Sequence, residues 1–131
     1  MNLIHLTLAA GGGAIGSALR YSTSAVVMRG HAPTMNWPWG TFIANLVGCF
    51  LMGVLIEWLA LRGGSDAASW RVFLATGVLG GFTTFSAYSL ETVLFIERKA
   101  YAHAAIYSAG SVLMGLVMVF AGLFIMRKVL M

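Results

Sequence analysis

Long apolar runs are the feature that most constrains how this chain can fold. Of its 131 residues, 60% are apolar and 9% are charged, whereas a soluble domain carries about a quarter charged residues. A helix that spans a bilayer needs about 20 mainly apolar residues. Four such helices would use about 80–100 residues and leave only short loops. The sequence therefore predicts an all-α membrane protein with a single domain, residues 1–131.

Breakers and charged residues divide the apolar sequence into four predicted transmembrane helices. They cover about residues 3–28, 39–61, 69–96 and 101–125. Pro33 and Pro38 interrupt the chain after the first helix, and Gly63 and Gly64 follow the second. The N-terminus has no basic region and no small-residue cleavage site, which predicts that the first apolar run is a retained helix. The single cysteine, Cys49, excludes an intrachain disulfide.

The basic residues are divided almost evenly between the two predicted membrane faces. The formal net charge is +4, and most basic side chains lie at predicted helix ends, which indicates interfacial anchoring rather than nucleic-acid binding. One face would hold Arg62, Arg71, Arg127 and Lys128, and the other Arg29, Arg98 and Lys99, with Arg20 nearby. Orientation follows the Lys/Arg excess, which is weak here. Insertion in one orientation and insertion in both, which would allow an antiparallel dimer, both remain open.

Small residues recur four positions apart in every predicted helix. The pairs are Gly12 with Gly16, Ala44 with Gly48, Gly77 with Gly81, and Ser111 with Gly115. Such pairs let helix backbones approach closely. The spacing is compatible with packing inside one bundle and with packing between two chains.

Polar side chains inside apolar spans usually face protein or a water-filled cavity. Asn45 lies one turn after Thr41 in the second helix, and His103, Tyr107 and Ser111 form a stripe on the fourth. Both groups are compatible with helix–helix hydrogen bonds and with a pore lining. Arg20, near the end of the first helix, either extends to the interface or binds carbonyls or anions.

The densest polar run lies in the third helix, at residues 77–91. It contains three glycines, two threonines and two serines, which weaken a helix interior. A break would free backbone groups, and broken transmembrane helices are a recurrent way to build ion sites. The ring edges of Phe85 and Tyr88 are electropositive. Because the run has no Lys or Arg, an anion would meet only weak donors and could leave again.

Three motifs, taken in order along the chain, resemble those of the Fluc/CrcB family of microbial fluoride channels. They are Gly16-x-x-x-Arg20-Tyr21, Gly40-Thr41-x-x-x-Asn45-x-x-Gly48, and Gly80-Gly81-Phe82-Thr83-Thr84-Phe85-Ser86 through Glu91. The resemblance implies a fluoride-specific channel, not an enzyme, in the bacterial plasma or inner membrane, which exports fluoride passively and limits its toxicity. It also implies an antiparallel, dual-topology homodimer in membrane lipid, with two pores.

The resemblance further implies roles for individual residues. The backbone carbonyls of Gly80 and Thr83 would hold a structural sodium ion, which is not transported, at the dimer centre. Arg20 and Glu91 would lie at a vestibule. The implied pore-lining residues are Thr41, Asn45, Phe85, Ser86, Tyr88, Ser89, Tyr107 and Ser111.

The sequence departs from the family pattern at two adjacent positions. The second aromatic residue is usually phenylalanine and is Tyr88 here, and the preceding hydroxyl-bearing residue is replaced by Ala87. Tyr88 either supplies a phenolic donor that partly replaces the lost hydroxyl, or narrows the path, or shifts the ion site.

Two other functions compete with a fluoride channel. A small multidrug-type proton-coupled exporter needs a carboxylate at the membrane centre, whereas Glu57 and Glu91 lie toward the ends of their spans. An anchor subunit of a membrane enzyme would leave the polar run without a role. Catalysis is not expected, because no nucleophile–base set or metal-ligand cluster is evident.

Overall fold

The computed structural model describes residues 2–30 and 37–131, and both parts are almost entirely helical. The predicted loop between the first two helices, including Pro33, lies largely outside the described residues. The helices are α1 (Leu3–Arg29), α2 (Trp39–Arg62), α3 (residues 64–82), α4 (Phe85–Glu97) and α5 (Tyr101–Leu130).

α3 changes its winding along its length. A 3₁₀ turn at Gly64–Asp66 leads into an α-helical turn, Ala67–Trp70, and then into π-helix over Arg71–Leu79. Nine π-helical residues are unusual, since this winding mostly occurs as single turns, frequently at functional sites. A short α-helical turn, Gly80–Phe82, completes α3.

The interruption predicted in the third span is present between α3 and α4. Thr83 and Thr84 both have extended backbones, with φ/ψ of −85°/159° and −151°/119°. The chain resumes as α4 at Phe85, and the Thr84 side chain caps the new helix by accepting a hydrogen bond from the Ala87 N–H at 3.2 Å. Two residues therefore separate two helices within one apolar stretch.

Glycines bring the helix backbones into direct contact. A Cβ on Gly12 would overlap the carbonyl oxygen of Phe73, and one on Gly16 would overlap that of Val78, so α1 lies directly against α3. α2 packs against α5 in the same way, through Gly53. The absence of side chains at these points is what allows the close approach.

Three helical stretches in the described part of the chain are long and apolar enough to cross a membrane. They are Trp39–Arg62, Gly64–Glu97 and Tyr101–Leu130. α1 is not among them, because glycines, serines and Arg20 dilute its apolar content. Large apolar side chains on α5 face outward, with Phe120 68% and Val129 71% exposed, as expected for contact with lipid. The chain is thus an all-helical, multi-pass membrane protein.

An aromatic cluster closes one end of the bundle, where α2 begins, α4 ends and α5 begins. Phe95, Ala104 and Tyr107 are buried there, and Trp37 and Phe42 pack against them. Tyr107 is fully buried, and its ring and that of Trp37 form a T-shaped pair with a centroid distance of 5.4 Å. This cluster fixes the position of α4 relative to α5 beyond the interruption.

Candidate functional site

Asn45 holds the interruption open from the neighbouring helix. The Thr84 N–H donates to Asn45 Oδ1 at 2.7 Å, and Asn45 Nδ2 donates to the Thr84 carbonyl at 3.1 Å. In an uninterrupted helix the Thr84 N–H would instead donate to the carbonyl of Gly80. The side chain of Asn45 therefore replaces the acceptor that the Thr84 N–H loses by leaving the helix. It also adds a donor to the Thr84 carbonyl, which as the N-cap accepts the first hydrogen bond of α4.

Arg20 reaches the same interruption from α1. Its Nε donates to the Gly81 carbonyl at 3.1 Å, and the side chain is half-buried. Of the two predictions for Arg20, carbonyl binding is therefore the arrangement observed. The carbonyls of Gly80 and Thr83 differ, because in the described part of the chain no side chain or loop amide donates a hydrogen bond to either.

A groove with a volume of about 300 Å³ lies beside the interruption, between α2, α4 and α5. Its polar groups come from Asn45, Thr83, Thr84, Tyr88 and Ser111. Apolar and small residues complete the lining: Gly48, Cys49, Met52, Phe85, Val112 and Val119. None of the described residues that line the groove carries a charge.

Ser111 is the most exceptional polar group of this groove. Its Oγ is buried and has no hydrogen-bond partner among residues 2–30 and 37–131. Because an unpaired buried hydroxyl costs free energy, such a group is a candidate ligand-binding donor.

Three aromatic rings form a row from the groove toward the aromatic cluster. Phe85 lies 5.5 Å from Tyr88, and Tyr88 lies 5.5 Å from Tyr107, with interplanar angles of 40° and 41°. Phe85 is 78% exposed, whereas Tyr107 is fully buried. The row thus leads from an exposed ring beside the interruption to a buried ring inside the bundle.

Glu91 lies at the buried end of this row, held between two hydroxyl groups. Thr41 Oγ1 donates to Oε1, and the Tyr107 hydroxyl donates to Oε2, each at 2.6 Å. Both distances are at the short end of the range for O–H···O bonds, and the three side chains tie α2, α4 and α5 together. The structure brings Thr41, Tyr107 and Glu91 into one cluster, which the sequence did not indicate.

The remaining predicted pore residues lie close to the interruption in sequence but not in the groove. Ser86 is exposed and its Oγ lies 3.2 Å from Thr84 Oγ1, and Ser89 is half-buried. Sequence reasoning did not single out Thr84, which is both the helix cap and the partner of Asn45. The adjacent Thr83-Thr84 pair was the available signal, since hydroxyl-bearing residues favour caps.

Glu57 is paired with Arg127, away from the interruption. Arg127 Nε and Nη2 donate to its two carboxylate oxygens at 2.7 and 3.2 Å, and Glu57 is buried. It lies 12 residues after Asn45 on α2, about 18 Å along the helix. Among residues 2–30 and 37–131, no three His, Cys, Asp or Glu side chains come together to hold a metal.

Comparison with known proteins identifies close relatives. Residues 7–123 match the family model described as "CrcB-like protein, Camphor Resistance (CrcB)". A protein from Caulobacter sp. (strain K31), named "Fluoride-specific ion channel FluC", is 53% identical over 127 residues, which are 97% of this chain and 98% of the relative. Relatives of the same name from Caulobacter vibrioides (strain NA1000 / CB15N) and Phenylobacterium zucineum (strain HLK1) are 54% and 51% identical. Each of these two alignments covers 95% of this chain and 96% of the relative.

Proposed function

The chain belongs to the CrcB-like family, and on that premise we propose that it is a channel that conducts fluoride passively out of the cell. The groove beside the interruption is the observation that carries this proposal. Its lining contains hydroxyl-bearing and aromatic residues, and all the described lining residues are uncharged. Weak donors bind an anion without trapping it, which conduction requires.

The groove suits an anion that must lose its water. Fluoride is small and strongly hydrated, so a selective path has to replace water with several hydrogen-bond donors. Ser111 offers a buried hydroxyl to which no described residue is hydrogen-bonded, and Phe85 and Tyr88 add aromatic rings to the lining, whose edges are electropositive. Asn45 lines this path while its amide holds Thr84, and because an amide nitrogen carries two N–H groups, one N–H remains beside the bond to the Thr84 carbonyl.

The alternative of a proton-coupled exporter finds no support in the carboxylates. Such an exporter needs a carboxylate that is free to exchange protons and substrate near the membrane centre. Glu57 is paired with Arg127, and Glu91 accepts hydrogen bonds from Thr41 and Tyr107.

The functional unit that we propose is an antiparallel homodimer of four-span chains. α1 has 27 residues, about 40 Å of helix, which exceeds the roughly 30 Å hydrocarbon core, so it can serve as the fourth span. The groove of one chain is open on one side, and Phe85 at its rim is 78% exposed. A second chain would cover this surface, and the near-equal distribution of basic residues favours opposite orientations.

A structural sodium ion at the dimer centre is part of the proposal. The carbonyls of Gly80 and Thr83 fit this role. The Thr84 N–H, which would donate to the Gly80 carbonyl in a continuous helix, donates to Asn45 instead, and no side chain or loop amide of the described residues donates to either oxygen. Carbonyls freed at a helix break are suited to a sodium ion. When bound, the ion would offset repulsion between these oxygens.

Fluoride efflux from liposomes tests the proposed function. Pure protein is reconstituted in liposomes loaded with potassium fluoride, a potassium ionophore removes the membrane potential, and an electrode records external fluoride. We expect release much faster than from protein-free liposomes prepared in parallel. Equal rates in the two preparations would refute the channel.

The sodium site needs a separate experiment. We expect that replacing sodium with a large organic cation lowers the dimer fraction in detergent or stops efflux, because the carbonyls would lose their counter-charge. Dimer fraction and efflux that are both independent of sodium would reject the site without affecting the channel proposal.

A further inference from the structure

The hydroxyl of Tyr88 occupies a place in the groove that the family pattern does not explain. The sequence has Ala87 and Tyr88 where the resemblance leads to a hydroxyl-bearing residue followed by phenylalanine. The hydroxyl is therefore missing at one position and present at the next. The structure shows where the phenolic group of Tyr88 goes.

Tyr88 donates only a weak hydrogen bond to α5. Its hydroxyl lies 3.3 Å from the carbonyl oxygen of Ser108, whereas O–H···O bonds are usually about 2.7–2.8 Å long. Ser108 lies inside α5, where the N–H of Val112 is its helical partner. The carbonyl therefore does not depend on Tyr88, and breaking this bond leaves no acceptor unpaired.

The ring of Tyr88 is held in place independently of its hydroxyl. It packs between Phe85 and Tyr107, with centroid distances of 5.5 Å on each side. The ring can stay fixed while the O–H turns about its C–O bond. Tyr88 and Ser111 both line the groove, so one groove contains a side chain whose hydroxyl is weakly bonded and another whose hydroxyl has no hydrogen-bond partner among the described residues.

We propose that the Tyr88 hydroxyl is a switchable fluoride donor, which rests on the Ser108 carbonyl and turns to a fluoride ion in the groove. The inference rests on the proposed function. A hydrogen bond to an ion is roughly twice as strong as one between neutral groups, so fluoride displaces the carbonyl. Together with Ser111, Tyr88 would form a two-hydroxyl fluoride site, and its hydroxyl would replace the one that Ala87 lacks.

Tyr88→Phe tests this site, because it keeps the ring and removes only the donor. We expect the half-saturating fluoride concentration of efflux to rise about three- to tenfold, with a smaller change in the maximal rate. Two control variants should keep the wild-type value. Tyr101→Phe removes the hydroxyl of an exposed tyrosine on α5, and Ser108→Ala keeps the carbonyl that Tyr88 contacts.

Two results would overturn the inference. One is an unchanged half-saturating concentration in Tyr88→Phe, and the other is a fall in the maximal rate alone, which would make the hydroxyl a structural tether. If the variant does not fold, 4-aminophenylalanine and 4-methoxyphenylalanine at position 88 replace it. The amine can donate a hydrogen bond and should keep the half-saturating fluoride concentration near the wild-type value. The methoxy group cannot donate and should raise it.

A binding measurement separates this inference from the proposed function. Fluoride that binds the folded protein raises its unfolding temperature. If the wild type gains stability with fluoride and Tyr88→Phe gains less, the site stands even where efflux is absent and the channel proposal fails. Equal stabilisation of both proteins overturns the site even where the wild type conducts fluoride.

Discussion

Replacing Asn45 by leucine should destabilise the protein more than any other single loss of a side-chain amide or hydroxyl on α2. The substitution removes two hydrogen bonds, at 2.7 and 3.1 Å, and leaves the N–H of Thr84 unpaired, whereas the Thr84 carbonyl keeps the first hydrogen bond of α4. An unpaired buried backbone group costs about 1–3 kcal/mol. Thr84 is half-buried, so the lower half of this range, about 1–2 kcal/mol, applies to its N–H. The lost hydrogen bond to its carbonyl adds about 0.5–1.5 kcal/mol, and we expect a total loss of about 1.5–3.5 kcal/mol.

Asn45→Asp perturbs the same contact differently. A carboxylate still accepts from the Thr84 N–H, but its second oxygen faces the Thr84 carbonyl, where the amide had a donor. It also places a negative charge on the wall of the proposed fluoride path. We therefore expect Asn45→Asp to retain more stability than Asn45→Leu and yet to abolish fluoride efflux.

Equilibrium unfolding in detergent, followed by tryptophan fluorescence, measures the stability of both variants, and liposome efflux measures conduction. Ser22→Ala is the matched control, since it removes one exposed side-chain–backbone hydrogen bond inside α1 and should cost under about 0.5 kcal/mol. An Asn45→Leu variant as stable as Ser22→Ala would show that the two hydrogen bonds between Asn45 and Thr84 do not stabilise the protein. Unchanged efflux in Asn45→Asp would remove Asn45 from the fluoride path.

Two further predictions concern helix packing and can be checked by the same unfolding measurement. Gly16→Ala should destabilise by about 1–3 kcal/mol, because its Cβ would overlap the Val78 carbonyl. Gly11→Ala adds a Cβ that meets nothing within 4 Å and should be neutral or stabilise by up to about 1 kcal/mol. If both substitutions destabilised the protein equally, this reasoning would be contradicted. Glu57→Gln and Arg127→Gln should each lower stability, because each breaks the paired hydrogen bonds between the two side chains, and the double mutant should lose less than the sum of the two single losses. Additive losses would mean that the pair is not formed.

The interruption in the third span could be predicted because its cause is local. Glycines and hydroxyl-bearing residues weaken a helix wherever they occur, and residues 80–86 contain five of them. The exact position of the break depends on a residue far away. Thr83 and Thr84 leave the helix where Asn45, 39 positions earlier than Thr84, can bond the exposed backbone.

The π-helical stretch Arg71–Leu79 could not be predicted, because nothing in its own residues requires this winding. It coincides with the contact to α1, where Gly12 approaches the backbones of Phe73 and Gly77. The hydrogen-bond partner of Asn45 could not be predicted either. The sequence places a polar side chain inside a span, but the position of the Thr84 backbone decides which of its amide atoms are already bonded.

The small-residue pairs show how far spacing can be interpreted. Each of the four pairs contains a residue at which an added Cβ would meet the same chain: Gly16 meets Val78, Gly48 meets Thr83, Gly81 meets Gly13, and Gly115 meets Cys49. Spacing indicates only that one face of a helix carries small side chains. In this structure these faces already pack against other helices of the same chain. The dimer that we propose must therefore use other surfaces, namely the open groove and the exposed ring of Phe85. Glycine contacts would then stabilise each chain, whereas the surface that binds the second chain would also be the surface that encloses the ion path.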